Sequence, residues 1–301
     1  VRIVAALGGN ALLERGEPPE DEIQEAHVAA AVRALAPLAD GNDLVITHGN
    51  GPQVGMLALE SARDPALARP YPFDVLGAQS QGMIGYWLLQ SLRNALPGRP
   101  AACLVSRTVV ARDDPAFADP VKFVGPVYSE EEARRLAAGG GWRIRRDGTG
   151  YRRVVPSPEP AELLDLPAVQ ALLAVGMIVV CSGGGGVPVV REGGQVRGVE
   201  AVVDKDLAAA LLARELRADA LLLLTDVPAV QDGYGTAEAR PIRRASVRQL
   251  RARDFPAGSM GPKVEAACRF AEATGKPAAI GRLADAPELL AQRTGTVVTP
   301  A

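Results

Sequence analysis

The 301-residue sequence sets 33 Lys+Arg against 35 Asp+Glu for a formal net charge of −2, and no basic cluster exceeds Arg145-Arg146, Arg152-Arg153 and Arg243-Arg244, which argues against a nucleic-acid partner. With 48% hydrophobic and 23% charged residues the chain has ample material for a core, and with aromatics at 4% that core must be built from Ala, Leu and Val. No apolar run reaches the roughly 18 residues that span a bilayer, and Val1-Arg2-Ile3-Val4 does not begin a signal peptide, so a soluble, cytoplasmic protein with no membrane partner is expected.

Short apolar runs alternate with longer helical patterns along the chain. Arg2–Leu7 reads as a buried strand, Ile23–Ala39 as an amphipathic helix, Asp43–His48 as a strand, Ser80–Leu96 as a helix and Ala101–Val110 as a strand. In the second half Met177–Cys181 and Val199–Val203 read as strands, Asp206–Leu216 as a helix, Ala220–Thr225 as a strand, Pro262–Thr274 as a helix and Pro277–Ile280 as a strand. Such alternation predicts an α/β fold with a mainly parallel sheet covered on both faces. The stretch 112–160 breaks the rhythm with charge, Pro, Gly and five of the twelve aromatics. There Trp142–Arg146 and Tyr151–Val155 flank the turn signal Asp147-Gly148-Thr149-Gly150, which predicts a small hairpin-bearing subdomain protruding from the sheet. Cys103, Cys181 and Cys268 lie far apart in apolar contexts and read as buried thiols; with only two histidines, no Cys/His metal site is expected.

Three glycine-rich loops each follow a predicted strand: Gly8-Gly9-Asn10-Ala11, Gly49-Asn50-Gly51-Pro52 and Gly183-Gly184-Gly185-Gly186. At the carboxyl ends of parallel strands, glycines let backbone N–H groups approach an anionic ligand. None of the loops spells a Walker A or dinucleotide fingerprint, so a phosphate would need another cradle.

The lysines suggest one. Only Lys122, Lys205, Lys263 and Lys276 are lysines, and the other 29 basic residues are arginine. Where Arg is the default cation, a retained Lys marks positions that need a compact point charge. Asp206 reads as the N-cap of its helix, with Lys205 beside it, and Pro262 as the first helical position, with Lys263 in the first turn. A cation there opposes the helix dipole by about 0.3–1 kcal/mol unless an anion occupies the spot. Lys276, beyond a helix end, has favourable dipole placement and needs no functional reading.

At these residues the sequence resembles the carbamate kinases of the amino-acid kinase superfamily. The similarity is carried by Ala6-Leu7-Gly8-Gly9-Asn10-Ala11-Leu12, Thr47-His48-Gly49-Asn50-Gly51-Pro52-Gln53-Val54-Gly55, Gln79-Ser80-Gln81-Gly82-Met83-Ile84-Gly85-Tyr86 and Arg153-Val154-Val155-Pro156-Ser157-Pro158. It continues through Gly183–Gly186 with Val187-Pro188, Val203-Asp204-Lys205-Asp206 and Gly258-Ser259-Met260-Gly261-Pro262-Lys263-Val264.

The resemblance implies a three-layer sandwich around an open, mainly parallel sheet, one amino-acid kinase domain over residues 1–301 with a small protruding lid. Residues 1–175, including the subdomain at 112–160, would form the acceptor-binding half and 176–301 the nucleotide-binding half. The implied reaction is reversible phosphoryl transfer between ATP and carbamate, giving ADP and carbamoyl phosphate. Lys122, Lys205, Asp206 and Lys263 would be catalytic, with Lys122 reaching in from the lid and Asp206 orienting the other two lysines. Gly8, Gly9, Asn10, Gly49, Asn50 and Gly51 would hold the acceptor. Gly183, Gly184, Gly185, Thr225, Val227, Tyr234 and Met260 would hold the nucleotide, with Mg²⁺ carried by its phosphates and no metal site on the protein. A homodimer is implied by the resemblance alone. Two alternatives stay open: a paralogous kinase acting on another small carbamate or carboxylate, and a non-catalytic nucleotide sensor.

Overall fold

A computed structural model describes residues 1–301 apart from Arg15, Gly141, Ala237 and Ala257, and describes only the backbone at Asn10 and Gly140. The first half contains β1 (Arg2–Leu7), α1 (Asp21–Leu35), β2 (Asp43–His48), α2 (Gly51–Arg63), α3 (Phe73–Ala95), β3 (Ala101–Cys103) and β4 (Arg107–Val109). Next come β5 (Lys122–Tyr128), α4 (Glu130–Gly140), β6 (Arg143–Asp147), β7 (Gly150–Val155), β8 (Glu162–Leu163) and α5 (Leu166–Ala174). The chain continues with β9 (Ile178–Val180), β10 (Val187–Glu192), β11 (Gln195–Gly198), α6 (Lys205–Glu215), β12 (Ala220–Thr225), β13 (Gln231–Asp232) and β14 (Arg240–Pro241). It ends with β15 (Arg244–Ser246), α7 (Val247–Arg251), α8 (Met260–Thr274), β16 (Ala278–Arg282), α9 (Ala286–Leu290) and β17 (Thr296–Thr299).

An eight-stranded sheet, in the order β15-β17-β16-β12-β1-β2-β9-β3, forms the middle layer. Its neighbouring strands run parallel except for β16 with β17. The two-residue period of a strand explains the layers: Ile3, Ala5 and Leu7 pack with α1, α3 and α9, while Val4 and Ala6 pack with α5, α6 and α8. Both faces are covered, so the strands are apolar throughout. This is the expected α/β sandwich. Because β9 enters between β2 and β3, the two sides of the sheet do not coincide with the two halves of the sequence.

The three-stranded sheet β5-β7-β6 with α4 forms the protruding part. Asp147 pairs with Gly150 across Gly148-Thr149, and Gly148 takes φ +61°, as a two-residue hairpin turn requires. Val124 and Val155 seat its base on Val54, Ala58, Phe73 and Leu76 of α2 and α3.

Several sequence-based elements are corrected. Ala101–Val110 is two strands in different sheets, because the Gln81 side chain accepts the Ser106 N–H at 2.8 Å and ends the first ladder. Val199–Val203 is no strand: the segment is buried apart from Glu200, but its N–H groups find scattered acceptors such as Pro188 O and Pro156 O. The last turn assigned to α1 is a 3-10 turn, Ala36–Ala39, and α3 starts at Phe73 rather than Ser80. Helix α2 had no counterpart in the sequence reading, since Gly51, Pro52 and Gly55 weaken its helical signal.

Candidate functional site

Adjacent parallel strands deliver their carboxyl ends side by side. Gly8 N–H donates to Leu224 O and Gly49 N–H to Leu7 O, each at 3.0 Å, so the loops after β1, β2 and β12 meet at one edge. The approach is close: a Cβ on Gly49 would lie 2.9 Å from Gly9 N and 3.4 Å from Lys205 Cδ. Glycine is required there by space. Asn50, which opens α2, donates its Nδ2 to Ser80 Oγ at 2.8 Å instead of capping the helix. Side-chain geometry at Asn10 lies outside the described residues, although its backbone belongs to the turn Gly9–Ala11.

Helices α6 and α8 bring the lysines. The N-cap of α6 is Asp204 and not Asp206: its Oδ1 accepts the N–H groups of Asp206 at 2.9 Å and Leu207 at 3.2 Å. Lys205 is therefore the first helical residue. Helix α8 starts at Met260, which makes Pro262 its third residue, still within the turn whose N–H groups have no intrahelical acceptor. Between the helices Asp206 takes Lys205 Nζ on Oδ1 at 2.5 Å and Lys263 Nζ on Oδ2 at 3.1 Å. Lys122, the first residue of β5, sets its Nζ 2.5 Å from Asp204 Oδ2. Thus the four expected catalytic residues converge, together with a fifth, Asp204, that sequence reasoning passed over. Its only signal was a capping-type residue placed just before Lys205.

Burial raises the stakes of this cluster. Asp206 is desolvated, which alone would push its pKa up, yet Lys205 and Lys263 hold it well below the usual carboxylate range. Burial likewise opposes the charge on Asp204, and Lys122 overcomes it to leave its pKa lowered. Lys205 is lowered by burial against the pull of Asp206. Nearby, His48 is fully buried; desolvation drops its pKa to about 4, and its Nδ1–H donates to Gly49 O at 3.0 Å. The ring is neutral at pH 7.

The expected nucleotide residues separate into two groups. Thr225 ends β12, where its backbone meets Gly8, and Val227 follows it. Met260 begins α8, and Tyr234 stands 69% exposed on the β13–β14 hairpin. Gly183, Gly184 and Gly185 lie elsewhere, after β9 and three strands along the sheet from β12, or about 14 Å at ordinary strand spacing. All three are buried, and a Cβ would strike His48 at Gly183, Asn50 at Gly184 and Val203 at Gly185. This loop therefore packs behind His48, Asn50 and Val203, on the side of the sheet where the loop after β2 lies. Lys276 donates to Asp219 at 2.7 Å and to Ala218 O at 3.1 Å, away from the cluster.

Comparison with known proteins places this geometry. Residues 1–282 match the amino acid kinase family. The chain is 51% identical to the carbamate kinase of Rhizobium meliloti (strain 1021) over 304 residues, covering 99% of this chain and 93% of that one. It is 50% identical to the carbamate kinase of Escherichia coli (strain K12), covering 99% of both. A solved carbamate kinase from Giardia lamblia bound to AMP-PNP matches with TM-score 0.90 and 38% identity, over 99% of this chain and 98% of that one.

Proposed function

The chain belongs to the amino acid kinase family and has carbamate kinase function, and from that premise we propose how its residues carry the transfer. The reading rests on one observation: two lysines from two helix N-termini converge on the buried carboxylate of Asp206, beside the glycine loops after β1 and β2.

In the proposed reaction a carbamate oxygen attacks the γ-phosphorus of ATP while the bond to the β,γ-bridging oxygen breaks, leaving ADP. The acceptor is already an anion, so no general base is needed, and the work is alignment and neutralisation of charge. Gly8, Gly9, Asn10, Gly49, Asn50 and Gly51 hold carbamate and the transferred phosphoryl oxygens through backbone N–H groups. Lys205 and Lys263 neutralise the nucleotide phosphates and the transferring group, Asp206 fixes both, and Lys122 is supplied by the lid. Thr225, Val227, Met260 and the exposed Tyr234 ring receive the nucleotide. Gly183–Gly185 instead pack behind Asn50.

The donor set fits a Mg²⁺ carried by nucleotide phosphates. Asp204 and Asp206 already serve ammonium groups and helix N–H groups, and no cluster of three His, Cys, Asp or Glu side chains suited to a metal occurs among the described residues. Such an ion would neutralise phosphate charge. A homodimer in the cytoplasm belongs to the same proposal; no helix among the described residues is long and apolar enough to cross a membrane.

Formation of ATP from ADP and carbamoyl phosphate, followed by a coupled assay, tests this reading. Turnover with carbamoyl phosphate and little with acetyl phosphate is expected. The reverse preference would identify a paralogous kinase, and nucleotide binding without turnover a sensor.

A further inference from the structure

Lys122 presents a physical problem. It enters from the protruding sheet, retains 33% side-chain exposure, and ends on Asp204, two residues before the Asp206 that binds Lys205 and Lys263, whose side chains are only 11% and 13% exposed. Asp206 has both oxygens taken by Lys205 and Lys263 and leaves none for Lys122. Without a carboxylate of its own Lys122, the most exposed of the three, would turn outward into water.

We infer that Asp204 is the positioning residue that keeps Lys122 at the transfer site, by joining the lid to the N-terminus of α6. Its two oxygens divide the task. Oδ1 caps the helix through the N–H groups of Asp206 and Leu207, and Oδ2 holds Lys122 Nζ at 2.5 Å. One carboxylate thereby fixes the lid lysine relative to the residues on α6. The cap locks the carboxylate plane, so Oδ2 has a defined direction before any substrate arrives.

The segment leading to Asp204 is itself fastened to the protruding part. Val202 N–H donates to Pro156 O at 2.9 Å just beyond β7, and Val202 packs with Val124 and Val155. Glu200 accepts the Phe73 N–H at 2.8 Å and faces Arg153 of β7 at 3.8 Å. The buried Gly185 leaves no room for a Cβ against Val203, so the same segment is braced from the other side. With Asp204 the cluster holds three ammonium groups and two carboxylates; with a neutral residue it would hold three against one.

The inference rests on Lys122 taking part in transfer, and the test separates the two claims. Asp204→Asn and Asp204→Ser both keep a good helix cap while removing the anion, whereas Asp204→Ala removes both. Each would be measured in the wild-type and Lys122→Ala backgrounds for kcat, nucleotide KM and Tm. Expected for the Asn and Ser variants is a kcat loss of about tenfold or more, a nucleotide KM within about threefold of wild type and an almost unchanged Tm. In the Lys122→Ala background the same substitutions should cost no further kcat, because the residue they act through is gone. The inference is overturned if the cap-keeping variants retain full kcat and only Asp204→Ala is impaired, the pattern of a purely structural cap. It is also overturned if the losses add in full to that of Lys122→Ala. Normal kcat in Lys122→Ala alone would overturn the assignment of Lys122, and this inference with it.

Discussion

Gly55 of α2 and Gly125 of β5 meet backbone to backbone: a Cβ on Gly55 would fall 2.1 Å from Gly125 Cα and 2.5 Å from its N. Gly125 holds φ +71°, a conformation that favours glycine, so neither partner can yield cheaply. Through this contact the helix that follows the Gly49–Gly51 loop supports the strand that begins at Lys122.

Gly55→Ala should therefore displace β5. Overpacking of this kind costs about 1–3 kcal/mol, and a shift of about 1 Å at Lys122 is enough to lower kcat as much as 100-fold. Gly82→Ala is the contrast, since nothing lies within 4 Å of its Cβ position and the residue is an exposed part of α3. That variant should gain about 0.5–1 kcal/mol with normal turnover. Thermal melts and steady-state rates on both check the pair; equal behaviour of the two would refute the contact's importance.

The pH dependence of stability should show two separate windows. His48 titrates near 6.5 when unfolded and at about 4 in the fold, where desolvation disfavours its charged form. Between those values the unfolded chain binds the proton and the native one does not, so stability falls as pH drops from about 6.5 to about 4, by about 3 kcal/mol at most. Asp204 and Asp206 have lowered pKa values, and their contribution is present above the unfolded carboxylate range and lost only below about pH 4. His48→Asn keeps a donor for Gly49 O and removes the titration. Denaturant midpoints from pH 7 to 4.5 should then lose most of their slope, and an unaltered slope would exclude His48 as its source.

Much of this site was legible because its chemistry is local in the sequence. A glycine loop follows directly on a strand at Leu7–Ala11 and at His48–Gly51, and four lysines stand out among 33 basic residues. What was not legible depended on long-range partners. Asp204 and Asp206 are both capping-type residues, and choosing between them needed the position where α6 begins. Likewise the surroundings of Gly183–Gly185 follow from β9 lying beside β2, which brings these glycines against His48 and Asn50.

Arg153 lies with its guanidinium carbon 4.6 Å from the ring centres of both Phe73 and Trp142, and burial lowers its pKa. Phe73 belongs to α3 and Trp142 to the protruding part, so this planar cation is clamped between the two bodies. Arg153→Lys keeps the charge and loses the stacking plane, at an expected cost of about 1–2 kcal/mol. Limited proteolysis should then cut the α4–β6 region faster than in the wild type. An unchanged cleavage rate and Tm would show that the clamp contributes nothing.

The lysine argument makes the sharpest demand on charge shape. Lys263 is 13% exposed and reaches Asp206 Oδ2 at 3.1 Å, in a cluster where Asp206 is also bound to Lys205. Arginine would bring a planar fork in place of a point charge and could not turn all its donors toward one carboxylate and one phosphate. Lys263→Arg should lower kcat by about 10²–10³-fold, the scale for losing one transition-state donor. Lys276 supplies the control because its ammonium group serves Asp219 and the carbonyls of Arg217 and Ala218 near the end of α6, in a half-exposed setting. Lys276→Arg should leave kcat unchanged and shift stability by no more than about 0.5 kcal/mol. Should both variants turn over normally, point-charge geometry would not be what retains lysine at residue 263; should both fail, the loss would lie in general stability and not in the transfer site.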